Sequence, residues 1–380
     1  VFMRVLHVIP SLSPTQGGPS IMLPVMERSL SDQGVSVETI TTDDDGAGRR
    51  ISTTHQSALK ENGVTRRYFP KQTEFYKVSR PLRSWVKREV KNFDLVHIHA
   101  LFSHSSISAA RAAKAAGVPY VIRPLGVLNH YGIANRRALL KQLSLKLVEG
   151  PLIRHAAAMH FTSEAEKEEA QSLGIPFHGV VIPLGLESTN TGSDQVDETA
   201  SILFLSRLDP KKNLEGLIRG WASIAELYPE WKLKIAGRGE PAYEKQLHQL
   251  AADVGVESRV EWLGQVEGEE KERELAEASI YILPSFSENF GIAAAEALMA
   301  GKACVFAKGV AVGLRAIADK AAVETGTEDD AIACSLRRLI EDGAIRDNLK
   351  NEALRFARNE LSAKVMGCRL IELYESILSR

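Results

Sequence analysis

Residues 280–296 read IYILPSFSENFGIAAAE. The run Ile280–Leu283 is short, apolar and closed by Pro284, the pattern of a strand buried on both faces. Ala293–Ala295 are strong helix formers, whereas Glu288, Asn289 and Gly291 favour a loop or a first helical turn. The stretch therefore predicts a strand, a loop and a helix reaching about Met299, with another strand at Ala303–Ala307. In such a unit the amides near Asn289–Ile292 lie at a helix N-terminus, where the peptide dipoles favour an anionic group. Glu288 falls in the entry loop, and Glu296 about a turn or more inside the helix among the apolar residues Ala293–Met299. A carboxylate in those surroundings needs a partner. The alternative has Glu288 merely capping the helix and Glu296 exposed.

The same strand–loop–helix grammar recurs upstream. Ser201–Leu205 leads into SRLDPKKN at 206–213, where two cations stand at a strand end. Arg207 as a planar fork and Lys212 as a point charge suit a pyrophosphate, although surface lysines beside a proline turn are also common. Leu233–Ile235 leads into AGRGEP at 236–241. Gly237 and Gly239 permit close backbone approach to a flat or anionic ligand, or simply make a turn. A helix through Trp221, another around Tyr243–Val254 and a strand at Val260–Leu263 complete the pattern.

The first half alternates likewise. Strands are expected at Val5–Ile9, Val35–Thr41, Leu95–Ile98, Tyr120–Ile122, His160–Thr162 and Val180–Ile182. Helices are expected from about Ser20 to Leu30 and from Ser105 to Ala116, the latter ended by Gly117-Val118-Pro119. Residues 187–199 are polar and aperiodic, as in an interdomain linker. The prediction is α/β, with two Rossmann-like doubly wound domains facing across a cleft, 1–186 and 200–362, and ligands beyond the carboxyl ends of the strands. The pattern of the final helical segment, about Ala363–Leu378, does not itself choose a domain; we expect it to cross back so that 363–380 pack on the first.

Whole-chain numbers agree with this plan. A chain of 380 residues exceeds one ordinary core, and 44% hydrophobic with 25% charged residues is a globular composition. No run reaches the roughly 18 uncharged apolar residues of a membrane span. The opening VFMRVLHVIP is too short for a signal peptide and is interrupted by His7. Cys304, Cys334 and Cys368 have neither metal nor disulfide spacing, so we expect small core residues in a reducing cytoplasm. The net charge of −1 conceals 23 Lys/Arg against 15 Asp/Glu in residues 1–186, a balance of +8, and −9 in the remainder. That asymmetry suggests different partners for the halves or attraction across a cleft, unless both are ordinary solvated surfaces. Two further groups have chemical potential. His97 and His99, two apart on a strand, face one side, and one is expected to orient the other. Asp43-Asp44-Asp45 is either a solvated loop, the reading we prefer, or a metal cluster.

Together these residues acquire a family likeness. Glu288-x7-Glu296, with Phe290-Gly291-Ile292 inside it, resembles the signature of retaining glycosyltransferases of the GT-B type, the "group 1" family. Ser206-Arg207-Leu208…Lys212 resembles that family's Gly-Arg-Leu…Lys block, and Ile235–Gly239 its Gly-x-Gly turn. Val260–Gly264 is similar to its Val-x-Phe-x-Gly strand, Gly17-Gly18 to its first glycine loop, Asp94–His99 to its Asp-x-x-His-x-His block, and Val181–Gly185 to its Ile-Pro-Asn-Gly segment. The matches run in family order from about residue 5 to 305. Departures are Ser206 for glycine, Leu184 for asparagine, and a poor match at Lys308–Gly313.

The resemblance implies roles. Arg207 and Lys212 would hold the donor pyrophosphate and stabilise the leaving nucleoside diphosphate; Glu288 would contact the transferred sugar and Glu296 the ribose. Gly17 and Gly18 would approach the distal phosphate, and His99 the donor sugar from the facing domain. Gly237, Gly239, Asn289, Phe290, Gly291 and Ile292 complete the donor set. The implied reaction retains configuration and uses neither metal nor other cofactor, because cations and helix-terminal amides already neutralise the diphosphate.

The acceptor is expected on the first domain. Arg123, Asn129 and His130 follow a strand and would line its pocket. Residues 60–91 hold ten Lys/Arg and three Glu, and 136–148 place basic and apolar residues at helical spacing. Such segments suit an anionic membrane or a lipid-diphosphate-linked acceptor, or else form an ordinary amphipathic helix on a sheet. The expectation is hexosyl transfer from a nucleotide-diphosphate sugar to a glycan or lipid-linked acceptor, in the cytoplasm or peripherally on the inner membrane face, with no nucleic acid partner. A nucleotide-sugar epimerase and a non-catalytic nucleotide-binding module are the alternatives.

Overall fold

The computed structural model describes residues 3–61, 63–128, 143–187 and 198–380. The chain forms two compact units, Val1–Gly185 with Ala363–Arg380, and Leu186–Ser362. The acceptor candidates Asn129 and His130, and residues 188–197 of the expected linker, lie outside the described residues.

Unit 1 is built on β1 (Arg4–Ser11), β2 (Ser36–Thr42), β3 (Leu59–Glu61), β4 (Val64–Phe69), β5 (Leu95–His99), β6 (Tyr120–Arg123), β7 (Ala158–Phe161) and β8 (Gly179–Val181). Their order among the described residues is β3-β4-β2-β1-β5-β6-β7-β8, parallel except for β3 against β4. The strands read as apolar runs because both faces are covered. On one face Leu6, Val8, Val96, Ile98, Ile122 and Met159 share a core with residues of helices Arg80–Glu89 and His104–Ala116. On the other, Val5, Ile9, Leu95, Val121 and Ala158 pack with Leu23 and Met26 of helix Gly18–Asp32 and with Leu370 and Tyr374 of helix Ala363–Leu378. Ser103 caps helix His104–Ala116, and Gly117 ends it at φ 71°.

Unit 2 holds β9 (Thr199–Leu205), β10 (Lys232–Ala236), β11 (Val260–Gly264), β12 (Ala278–Leu283), β13 (Ala303–Ala307) and β14 (Ala322–Thr325). The order β11-β10-β9-β12-β13-β14 is parallel throughout. Strand order reverses between β9 and β12 here, and between β1 and β5 in unit 1. A crevice beyond the carboxyl ends opens at such reversals.

The structure accounts for part of the basic stretch and corrects one expectation. The basic stretch 60–91 includes β4 and part of β3, and Arg66, Arg67, Lys71 and Lys77 of its ten cations are engaged within the fold. Arg66 pairs with Glu27 and Glu61, Arg67 with Glu38, and both Lys71 and Lys77 with Asp44 and Glu74. Asp43 and Asp44 are buried, not solvated. Asp43 accepts from the Lys71 amide at 2.6 Å and faces His55 at 3.0 Å, while Asp44 is 2.7 Å from Lys71 Nζ. That cation supply removes the reason to place a metal there.

Candidate active site

In unit 2 the loops beyond β9, β10, β12 and β13 are laced together by backbone hydrogen bonds. Ser206 N–H donates to Ala236 O at 3.1 Å and Leu208 N–H to Arg238 O at 2.9 Å. A Cβ on Gly237 would lie 1.9 Å from Ser206 O, and one on Gly239 2.2 Å from Leu208 O. These glycines therefore make room first for neighbouring backbone. Phe286 N–H and the Ser285 hydroxyl both donate to Lys211 O, at 2.8 and 2.9 Å, tying the β12 loop to the β9 loop. Glu288 N–H donates to Gly309 O at 2.7 Å, and Val312 N–H to Phe290 O at 3.0 Å. The poorly matching segment Lys308–Gly313 thus shapes the Glu288 loop through its main chain.

This lacing brings the sequence-predicted side chains to one edge. Asp209 caps the short turn Pro210–Lys212, which presents Lys212. The Lys212 ammonium pairs with the Glu288 carboxylate, with side chains only 10% and 14% exposed. Arg207, in the same loop after β9, is exposed. Gly291, at φ 93°, starts helix Ile292–Met299, whose first-turn amides have no intrahelical acceptor. Glu296 finds its partner in Lys271, at 2.7 Å, on helix Gly268–Glu277. Lys271 leaves no local signal in the sequence, because it stands 25 positions away on another helix. The edge offers cations and a helix N-terminus to an anion, and carboxylates to hydroxyls.

In unit 1, Gly17 (φ 78°) precedes helix Gly18–Asp32, and a Cβ there would meet nothing within 4 Å. The Ser13 hydroxyl, 2.5 Å from Asp45, fixes the preceding turn. His99 is fully buried, its Nε2 2.8 Å from His7 Nδ1. His97 contacts the Tyr374 hydroxyl at 2.7 Å and His160 at 3.4 Å. Burial, reinforced by Arg123, lowers His7 and His160 to about 3, and burial with like-charged neighbours holds His97 and His99 well below the usual imidazole value. All four rings are therefore neutral at pH 7. In the sequence His7 only interrupts an apolar run, His160 only opens a strand, and Tyr374 carries no local signal. The signal for His7 was its register, because β1 and β5 adjoin and His7 aligns with His97.

His7, His97 and His99 bring one nitrogen each within 4.8 Å of one another, a possible metal triad. The Arg123 cation beside them opposes a dication. After His99 the backbone is strained, with Ala100 at φ 79° and Phe102 at φ 55°. Glu149 steadies it by accepting from Phe102 N–H at 3.1 Å. Burial raises the Glu149 carboxyl to about 7.

These features converge on one class of protein. The profile described as "Glycosyl transferases group 1" matches residues 191–356, and that of the "Glycosyl transferase 4-like domain" matches 17–185. The chain belongs to the group 1 glycosyltransferase family, and its activity is glycosyl transfer. It is 25% identical to the GDP-mannose:cellobiosyl-diphosphopolyprenol alpha-mannosyltransferase of Xanthomonas oryzae, over 79% of this chain and 77% of that one. It is 23% identical to a D-inositol 3-phosphate glycosyltransferase of Nocardioides, over 94% and 86%. The structure of Anabaena HepE in complex with UDP superposes with a TM-score of 0.79 at 21% identity, over 98% of this chain and 100% of that one.

Proposed function

We propose that the protein transfers a hexosyl group from a nucleoside-diphosphate sugar to a glycan or lipid-linked acceptor, with retention of configuration and without a metal ion. The observation that carries this reading is the Lys212–Glu288 pair at the strand-order reversal, with Arg207 and the N-terminus of Ile292–Met299 on the same edge. Arg207, Lys212 and the helix amides take the diphosphate, Glu288 the transferred sugar and Glu296 the ribose. Gly17, Gly18 and His99 belong to the same donor set by family likeness. Among relatives, one is named for GDP-mannose and a diphosphopolyprenol-linked acceptor.

In the proposed step the acceptor oxygen bonds to the anomeric carbon on the face that the diphosphate leaves. The anomeric carbon–oxygen bond breaks, and a donor phosphate oxygen receives the acceptor's proton. The two cations stabilise the charge that builds on the leaving group. Incubation with a donor panel, with and without sugar and lipid acceptors and with EDTA, tests the reading. Acceptor-dependent release of nucleoside diphosphate that survives EDTA is expected. Isomerised donor would identify an epimerase, and binding without turnover a nucleotide-binding module.

We further infer that unit 1 rests on an anionic membrane from the cytoplasmic side. No helix among the described residues is long and apolar enough to cross one. Phe75, Leu143 and Leu147 are 55%, 55% and 63% exposed, and a 2.7 Å hydrogen bond between Tyr76 and Ser144 joins their segments beside Lys146. Exposed apolar groups next to cations suit a charged lipid surface. Co-sedimentation with anionic vesicles at low salt is expected; its absence sinks this inference.

A further inference from the structure

Four buried polar atoms without a hydrogen-bond partner among the described residues converge in unit 1: His7 Nε2, His99 Nδ1, and Nε and Nη1 of Arg123. Strand register explains the convergence. His99 aligns with Arg123 on the adjacent parallel strand, so both project to the same face, and His7 reaches His99 from the other side. The place is the β1–β5 reversal of strand order, where a doubly wound sheet receives its ligand. Strained backbone flanks it, with the non-glycine residues Ala100 and Leu125 at φ 79° and 59°.

Arg123 is only 2% exposed, and no salt bridge to it occurs among the described residues. The nearby acid Glu166 has its oxygens engaged, accepting from Gly126 N–H at 2.7 Å and from the N–H and hydroxyl of Thr162 at 2.8 and 2.9 Å. A guanidinium buried with unbonded donors costs several kcal/mol, a burden a fold keeps when a ligand relieves it.

The hydrogen-bond inventory specifies the ligand. In the His7–His99 contact one ring donates and the other accepts. Whichever tautomers occur, the two outward nitrogens are then one donor and one acceptor. With the two unbonded Arg123 nitrogens this makes three donor atoms and one acceptor, complementary to an oxyanion carrying a hydroxyl beside it. A divalent metal matches poorly, because Arg123 repels it and the His7–His99 contact occupies a ligand nitrogen.

We propose that Arg123, His7 and His99 form a binding site for the phosphate or carboxylate of a charged sugar substrate, so that this transferase selects an anionic sugar. The proposal rests on the glycosyltransferase reading and adds a substrate class to it.

The test uses the full chain with its nucleotide site saturated by UDP or GDP, so that Arg207 and Lys212 do not report. Inorganic phosphate, glucose 6-phosphate, glucuronate and glucose are titrated calorimetrically into wild type, Arg123→Met and Arg123→Lys. Wild type is expected to bind phosphate, and at least one charged sugar about tenfold or more tighter than glucose. Preference for glucose 6-phosphate assigns a phosphate, and preference for glucuronate a carboxylate. Arg123→Met is expected to lose about tenfold or more in affinity for these anions while keeping its nucleoside diphosphate affinity. It should also melt above ligand-free wild type, whereas loss of a purely structural cation would lower the melting point. Should Arg123→Met not fold, Arg123→Lys supplies the comparison, because it keeps the charge and loses the fork. Equal binding of charged and neutral sugars by wild type overturns the proposal, as does an unchanged phosphate affinity in a folded variant, or binding of Zn²⁺ in place of phosphate. Failure of wild type to bind any nucleoside diphosphate would instead strike the proposed transfer reaction, leaving the phosphate response to be read by itself.

Discussion

The Lys212 ammonium already holds a carboxylate, Glu288, in a mostly buried contact. An incoming diphosphate would therefore exchange one anionic partner for another and leave Glu288 free to turn to hydroxyls. Lys212→Ala removes the phosphate cation and strands Glu288, so kcat/KM is expected to fall at least about 10²-fold, about 2.7 kcal/mol of transition-state stabilisation. Adding Glu288→Gln to that variant should restore its melting temperature without restoring turnover, and near-normal turnover by the single variant would remove Lys212 from the phosphate site. Arg207, Lys212, Glu288 and Glu296 were visible in sequence because each follows an apolar strand at a fixed offset. Their partners were not. Lys271 meets Glu296 only through packing of two helices, and His7 joins His99 only through the pairing of β1 with β5.

Elements buried on both faces were the most legible. Ala303–Ala307 is an unbroken apolar run and is the strand found, whereas β4 carries Arg66 and Arg67 and looks like charged surface until Glu27, Glu61 and Glu38 meet it. Short, half-exposed β14 escaped for a similar reason, with too few apolar residues to set a period. The π turn Leu145–Glu149 also lacks a sequence signature, yet it buries Glu149 against the strained Phe102 loop. The Glu149 carboxyl is raised to about 7 by burial, opposed by the Phe102 hydrogen bond and by Arg111. A raised carboxyl favours the folded state in its protonated form. Its contribution is complete below the ordinary glutamate value and is lost as pH rises through about 7. Urea unfolding from pH 5 to 8 should show wild type losing up to about 3 kcal/mol relative to Glu149→Gln. Parallel curves for the two proteins would contradict the burial argument.

At the scale of the whole molecule, the alternation of strands and helices made two doubly wound sheets legible, because parallel strands need helical crossovers. The packing of helix Ala363–Leu378 was not written in its own pattern. Its apolar stripe answers a hydrophobic face of either sheet, and only the structure places Met366, Leu370, Leu373, Tyr374 and Ile377 in the core of unit 1. Five such side chains contribute on the order of 7–15 kcal/mol, comparable with the stability of a whole domain. Truncation after Ser362 is therefore expected to unfold unit 1 while leaving nucleotide binding by unit 2, measured by limited proteolysis and calorimetry; a native protease pattern for residues 1–185 would refute this. The same helix has a consequence for biosynthesis. Residues 363–378 leave the ribosome about 180 residues after unit 1 is otherwise complete, an interval of roughly 10–35 s at ordinary elongation rates. Throughout that time the nascent N-terminal sheet carries an uncovered apolar face and an unanchored His97, a natural client for a chaperone until translation supplies the missing piece.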